Sequence, residues 1–261
     1  LGDVYKRQIE LLQEGNAVEN QRFLSLLPLS HSYEHTAGMH LPFQIGAEVW
    51  YCESTDQIAN NLVEVSPTLM TAVPRLYEVL HDRIMRGVRN KGGLSEQLFM
   101  AAVRLGTKRQ QGKPLLPHEV ILNLIVEKLV RNKVRDRLGG QLKFFISGGA
   151  ALNPEIGNFF MALGINLLQG YGQTEASPLI SANRPGRIKI ETVGPVVSGV
   201  DMKIADDGEI LVRGDLLMKG YWRDEAATAA VIQNGWLHTG DLGEVDQEGF
   251  ISITGRKKDI I

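Results

Sequence analysis

The stretch Gln169-Gly-Tyr-Gly-Gln-Thr-Glu-Ala-Ser177 gathers side chains that a packed core has no use for. Tyr171 offers a flat face for a planar ring. Thr174 carries a short hydroxyl suited to a phosphate oxygen, and Glu175 a hard anionic oxygen of the kind Mg²⁺ prefers. The apolar run 165–168 just before them reads as a buried strand, so Gly170 and Gly172 mark where it stops and the backbone turns or approaches a ligand. Without context the same letters fit a tight turn followed by a helix cap.

The elements that must position this loop are legible upstream. Residues 142–147 read as another short buried strand, ended by Gly148 and Gly149 with Ala150 and Ala151 behind them. Asn153 is an N-cap with Pro154 at the first helical position. Ile156, Phe159, Phe160 and Leu163 share one helical face before Gly164 stops the helix. Parallel strands joined through a helix place their following loops at one sheet edge, where open α/β folds bind ligands. The expectation is that 147–151 and 170–175 line one crevice.

Four strings stand in a familiar order: Ser147-Gly-Gly-Ala-Ala-Leu152, Tyr171-Gly-Gln-Thr-Glu175, Thr239-Gly-Asp-Leu242 and Gly255-Arg-Lys-Lys-Asp259. Each alone is weak; the ordered set resembles the AMP-forming acyl-CoA synthetase (adenylate-forming) superfamily. That resemblance implies ATP and CoA as co-substrates, Mg²⁺ as cofactor and an acid as the substrate. It implies that Tyr171, Gly172 and the Gly148, Gly149 and Ala150 backbone recognise adenine, that Thr174 bonds phosphate, and that Glu175 holds the metal. Thr174 and Glu175 would be catalytic. Asp241 would grip the ribose through two hydroxyls, Arg256 would be a second ribose or phosphate contact, and Lys258 the hinge to a mobile C-terminal domain. A turn-forming aspartate beside Gly240 is the plainer reading of Asp241.

Length and composition bound the rest. With 261 residues, 43% of them hydrophobic, the chain can hold one large domain or two small ones around a real core. A net charge of −2 gives no reason to expect nucleic acid. Its single cysteine, Cys52, sits in the apolar run 49–51 and reads as a buried small hydrophobe, which suits a reducing cytoplasm. No run of roughly 18 apolar residues and no secretory pattern is visible, while peripheral contact at the inner membrane face stays open.

The fold expected is α/β: an open sheet with parallel strand-helix-strand units and a helical insertion, plus a small β-rich subdomain. Residues 1–20 take no assignment, and 1–8 read as a foreign end or an interior start. Residues 21–189 form the α/β part, 190–257 the β-rich part, and 258–261 open the hinge to a C-terminal domain. Within the first, 22–29 is a strand opening into a loop with His31, Tyr33, His35 and, beyond it, His40. A metal reading of these histidines lacks cysteine or patterned carboxylates. The resemblance makes His31 and Tyr33 border an acyl tunnel, and a loop packed on the sheet is an equal alternative. A second strand-helix-strand unit spans 46–73; the resemblance implies that Val73-Pro74-Arg75 lies near the substrate, and Pro74 simply starting a helix is an equal alternative.

Residues 75–139 form the insertion: amphipathic helices over 75–86, 94–105 and 118–138. The last carries Ile121, Leu124, Ile125 and Leu129 on one side and the basic Lys128, Arg131, Lys133, Arg135 and Arg137 on the other, read as a solvated face. This insertion resembles long-chain fatty acyl members of the superfamily, which makes a long-chain fatty acid the expected substrate. The β-rich part holds a hairpin, 201–205 with 209–213, and strands at 236–238, 242–245 and 250–253. No Gly/Ser/Thr-rich loop ending in lysine and no C-terminal lysine-bearing domain is present, so this chain alone is expected to make no acyl-CoA. Two other readings are a fatty acyl-AMP ligase loading a carrier protein and a non-catalytic nucleotide-binding relative.

Overall fold

The structure, a computed structural model, describes Ile9 and residues 20–259. The expectations for residues 1–8, and for the close of 258–261, lie outside the described residues. The chain divides into two compact units, one holding Glu19–Leu27 and Gly46–Leu167, the other Pro28–Ile45 and Leu168–Ile261.

The first unit is α/β, as expected. Strands β1 (Arg22–Ser25), β2 (Glu48–Tyr51), β3 (Leu69–Ala72) and β4 (Phe144–Ser147) run parallel in the order β2-β1-β3-β4. Every residue of β3 is buried, as a central strand covered on both faces requires. Tyr77 is buried whole, its ring edge-on to Phe145 and Phe160, and its hydroxyl donates to the Ile146 carbonyl at 2.8 Å. The aromatic body thus seals the core while its polar tip is satisfied. Asn153 caps the helix Pro154–Ala162 by accepting the Glu155 N–H at 2.9 Å. Pro74 opens the helix Pro74–Lys91. Cys52 is half-buried rather than buried, because its thiol reaches out to the Ser54 carbonyl and the Asn61 side chain.

The insertion departs from the sequence reading at its last helix, which runs as Pro117–Val126, a π-helical Glu127–Arg131, and Asn132–Arg137. Ile121, Leu124, Ile125 and Leu129 face outward, at 63%, 67%, 44% and 44% exposed, whereas Val126, Val130, Val134 and Leu138 are buried. Arg131, expected on the solvated side, is 2% exposed. Its Nε donates to the Ala162 carbonyl at 2.9 Å and an Nη to the Ala102 carbonyl at 2.6 Å, while the other Nη reaches Asn123 and Glu127. Val126, Val130, Val134 and Leu138 supply the apolar side that fills the interior, and Arg131 enters it because backbone carbonyls and side-chain oxygens meet its donors. The wider π turn rotates the face accordingly.

In the second unit β5 (Asn166–Gly172) and β6 (Leu179–Ala182) form an antiparallel hairpin. Strands β7 (Val200–Ile204), β8 (Glu209–Gly214), β9 (Ile232–Gln233), β10 (Trp236–Val245) and β11 (Ile251–Arg256) make a second sheet, ordered β11-β10-β8-β7 with β9 on β10. Ala176, Ile180, Val212, Leu216 and Leu237 are its core, with Tyr171 packed against them. Three differences from the sequence reading have local causes. The strand does not stop at Gly170 but continues to Gly172, because Tyr171 pairs with Ser181. The strands expected at 236–238 and 242–245 are one strand whose register breaks between His238 and Leu242. The segment around His35, expected as a loop, is a short helix Ser32–Glu34 that runs on as a π-helical His35–His40, its start capped by His31 Nδ1 accepting the Tyr33 N–H.

Candidate active site

The break in β10 is what presents Asp241. Gly240 takes a left-handed φ of 72°, and the Thr239 hydroxyl donates to the Ile210 carbonyl at 2.8 Å and accepts the Asp241 N–H at 3.1 Å. Asp241 lies opposite Arg256 of β11. Its Oδ1 is 3.2 Å from Arg256 Nε and its Oδ2 accepts the Tyr171 hydroxyl at 2.7 Å. The Asp241 side chain is 11% exposed and that of Arg256 73%, so the carboxylate is fixed while the guanidinium reaches into solvent. Burial, with the Asp241 carboxylate beside it, pushes the Tyr171 phenol well above its ordinary range. It therefore keeps its proton at neutral pH and donates.

One hairpin turn away stand Thr174 and Glu175, on a 3-10 turn Thr174–Ala176 anchored by buried Ala176. Gly172 makes that turn possible: a Cβ there would overlap the Pro178 carbonyl oxygen. The Thr174 hydroxyl lies 3.0 Å from the Ser32 hydroxyl. Glu175 is held twice, its backbone carbonyl accepting the Met218 N–H at 2.8 Å and its Oε1 accepting the Tyr221 hydroxyl at 2.9 Å. That hydrogen bond to the carboxylate raises the Tyr221 phenol. Mg²⁺ is bound through one or two carboxylates plus substrate phosphates rather than by an all-protein cage. Glu175 fits that role. Among the described residues no group of three or more His, Cys, Asp or Glu could hold a metal ion, so further ligands would come from phosphate and water.

The structure thus brings Tyr171, Asp241 and Arg256 into one cluster, with Thr174 and Glu175 on the turn that follows Tyr171. His31 is exposed and Tyr33 half-buried, on the helix start that also carries Ser32. His35 and His40 share a 3.0 Å hydrogen bond. Lys258 is exposed on the short 3-10 turn Lys257–Asp259. In the first unit, Gly148 is buried after β4, and Gly149, at a left-handed φ of 82°, and Ala150 are exposed. Sequence reasoning missed Ser32, Tyr221 and Glu209. Each is an ordinary polar residue outside any string, and only the fold sets it beside Thr174, Glu175 or the Asp241 segment.

Known proteins share both sequence and fold. The AMP-binding enzyme family matches residues 4–222. A long-chain-fatty-acid–CoA ligase of Mycobacterium bovis, FadD15, is 36% identical over 245 residues, covering 93% of this chain and 40% of that protein. The peroxisomal long chain acyl-CoA synthetase 6 of Arabidopsis thaliana is 36% identical over 258 residues, covering 91% and 35%. The chain therefore spans well under half the length of these relatives. Among solved structures, a Mycobacterium tuberculosis fatty acyl CoA synthetase superimposes with a TM-score of 0.65 at 22% identity, covering 93% of this chain and 41% of that one. The anthranilate CoA ligase AuaEII in complex with anthranoyl-AMP superimposes at 0.67 and 22%, covering 99% and 44%. With the ordered strings intact and the family match extending over most of its length, the chain belongs to the AMP-binding enzyme family.

Proposed function

We propose that this chain is the nucleotide-gripping part of an AMP-forming long-chain fatty acid–CoA ligase. The observation that carries the reading is the Tyr171–Asp241–Arg256 cluster beside the Thr174–Glu175 turn. A carboxylate is a poor acyl donor. The reaction first converts it to a mixed anhydride by attack on the α-phosphate of ATP, with pyrophosphate leaving; the CoA thiol then attacks the activated carbonyl and AMP departs. Within this scheme Asp241 accepts the two ribose hydroxyls, Arg256 donates its fork to ribose or phosphate, and the Thr174 hydroxyl donates to phosphate. Tyr171 packs on adenine and holds Asp241 in place. Glu175 would hold Mg²⁺, which when bound offsets phosphate charge. These groups are set before substrate arrives, and such preorganisation is where much of the acceleration in group transfer arises. The preference for a long acyl chain is supported by the relatives' names and by the helical insertion.

The full-length protein, given ATP, Mg²⁺ and palmitate, is expected to release pyrophosphate and form palmitoyl-AMP, then palmitoyl-CoA and AMP once CoA is added. Transfer to a phosphopantetheinylated carrier instead of CoA would replace the acceptor in this reading, and absence of any adenylate would overturn it. The 261-residue chain by itself is expected to release no AMP.

A further inference from the structure

Glu209, at the head of β8, is 4% exposed, and both of its carboxylate oxygens are engaged. Oε1 accepts the Gly240 N–H at 2.9 Å. Oε2 accepts from Lys257 Nζ at 3.0 Å and lies 3.1 Å from His238 Nδ1. Lys257 also reaches Asp207 at 2.6 Å. A buried carboxylate persists only where donors surround it, and these donors all come from two places. One is the irregular part of β10, where the amide that Glu209 holds belongs to the residue before Asp241. The other is the chain leaving β11, where Lys257 precedes Lys258. Asp241 itself meets Arg256 at 3.2 Å, and Glu209 adds a second side-chain link between the two places, one that runs from the Gly240 amide to Lys257.

We propose that Glu209 is a positioning residue that ties the backbone under Asp241 to the chain beyond Arg256, so that the nucleotide-gripping carboxylate is in register only while Lys257 is docked. This rests on the reading of Asp241 as the ribose contact. It makes the segment around Lys258 a handle: whatever draws Lys257 away from Glu209 loosens the grip on AMP, and bound AMP in turn favours the docked lysine.

The test uses the full-length protein carrying Glu209→Gln, Lys257→Met, or both, with AMP affinity read by calorimetry and exchange of the Gly240 amide by mass spectrometry. Glu209→Gln is expected to weaken AMP about tenfold and to speed that exchange, since a charge-assisted hydrogen bond becomes a neutral one. Lys257→Met should weaken AMP about threefold. The double variant should bind no worse than Glu209→Gln alone, because the lysine acts through the glutamate. Additive losses, or wild-type AMP affinity in Glu209→Gln, would overturn the proposal. A merely structural role would lower the melting temperature and leave the affinity of the folded protein unchanged. Should Glu209→Gln fail to fold, Lys257→Met decides alone, since its side chain is 48% exposed; unchanged AMP affinity there overturns the proposal. If the wild-type protein binds no AMP, the ribose reading of Asp241 fails instead, and faster Gly240 exchange in Lys257→Met still supports the tie while unchanged exchange refutes it.

Discussion

Replacing Gly172 by alanine should destabilise the chain by about 3 kcal/mol or more and disorganise the turn that carries Thr174 and Glu175. The register of the β5–β6 hairpin shifts between Tyr171 and Gly172, so that Gly172 comes opposite Leu179 and against the Pro178 carbonyl. An added Cβ would overlap that oxygen, and the obstruction is backbone on both sides, with no flexible side chain to swing away. The hairpin must open or the turn must move. Gly170 is the control: a Cβ there first meets the Leu179 side chain at 3.3 Å, which can yield. Urea unfolding of the two variants checks the contrast. A Gly172→Ala protein as stable as Gly170→Ala would remove the steric account of the turn.

The second large effect belongs to Asp241→Ala. In the full-length protein it should weaken AMP binding by at least about 100-fold, because each hydrogen bond from a ribose hydroxyl to a carboxylate contributes about 1.5–3 kcal/mol and two are lost. The cost in stability should be far smaller, about 1 kcal/mol, for the Tyr171 hydroxyl left without its acceptor. Calorimetric titration with AMP, set beside a thermal melt, separates the two. An affinity within threefold of wild type would show that Asp241 does no more than orient Tyr171.

These expectations draw on features of unequal legibility. Asn153-Pro154 announced its helix because an N-cap and a first-turn proline act through nearest neighbours, and the parallel units around β3 and β4 followed from short buried runs between breakers. The strings that carry Tyr171, Thr174, Glu175, Asp241 and Arg256 could be read as ordered text, and the fold set Asp241 within reach of both Tyr171 and Arg256. Contacts between ordinary residues far apart in the chain were another matter. Nothing near Tyr221 points to Glu175, and nothing near Glu209 points to Gly240, because each partner is chosen by sheet register rather than by spacing. The last insertion helix misled for a related reason. Periodicity weighs hydrophobicity and cannot weigh the two carbonyls that Arg131 satisfies, so the apolar side was assigned to the interior.

That reversed helix has a practical meaning for anyone handling the protein. Leu124 and Ile121 present an oily ridge to water, and with Ile125 and Leu129 they form an apolar strip that Lys128 breaks. Ammonium sulfate strengthens association of such surfaces while urea weakens it. The 261-residue chain should accordingly grow in scattering mass as sulfate is raised, and Leu124→Asp should suppress that growth without shifting the melting temperature.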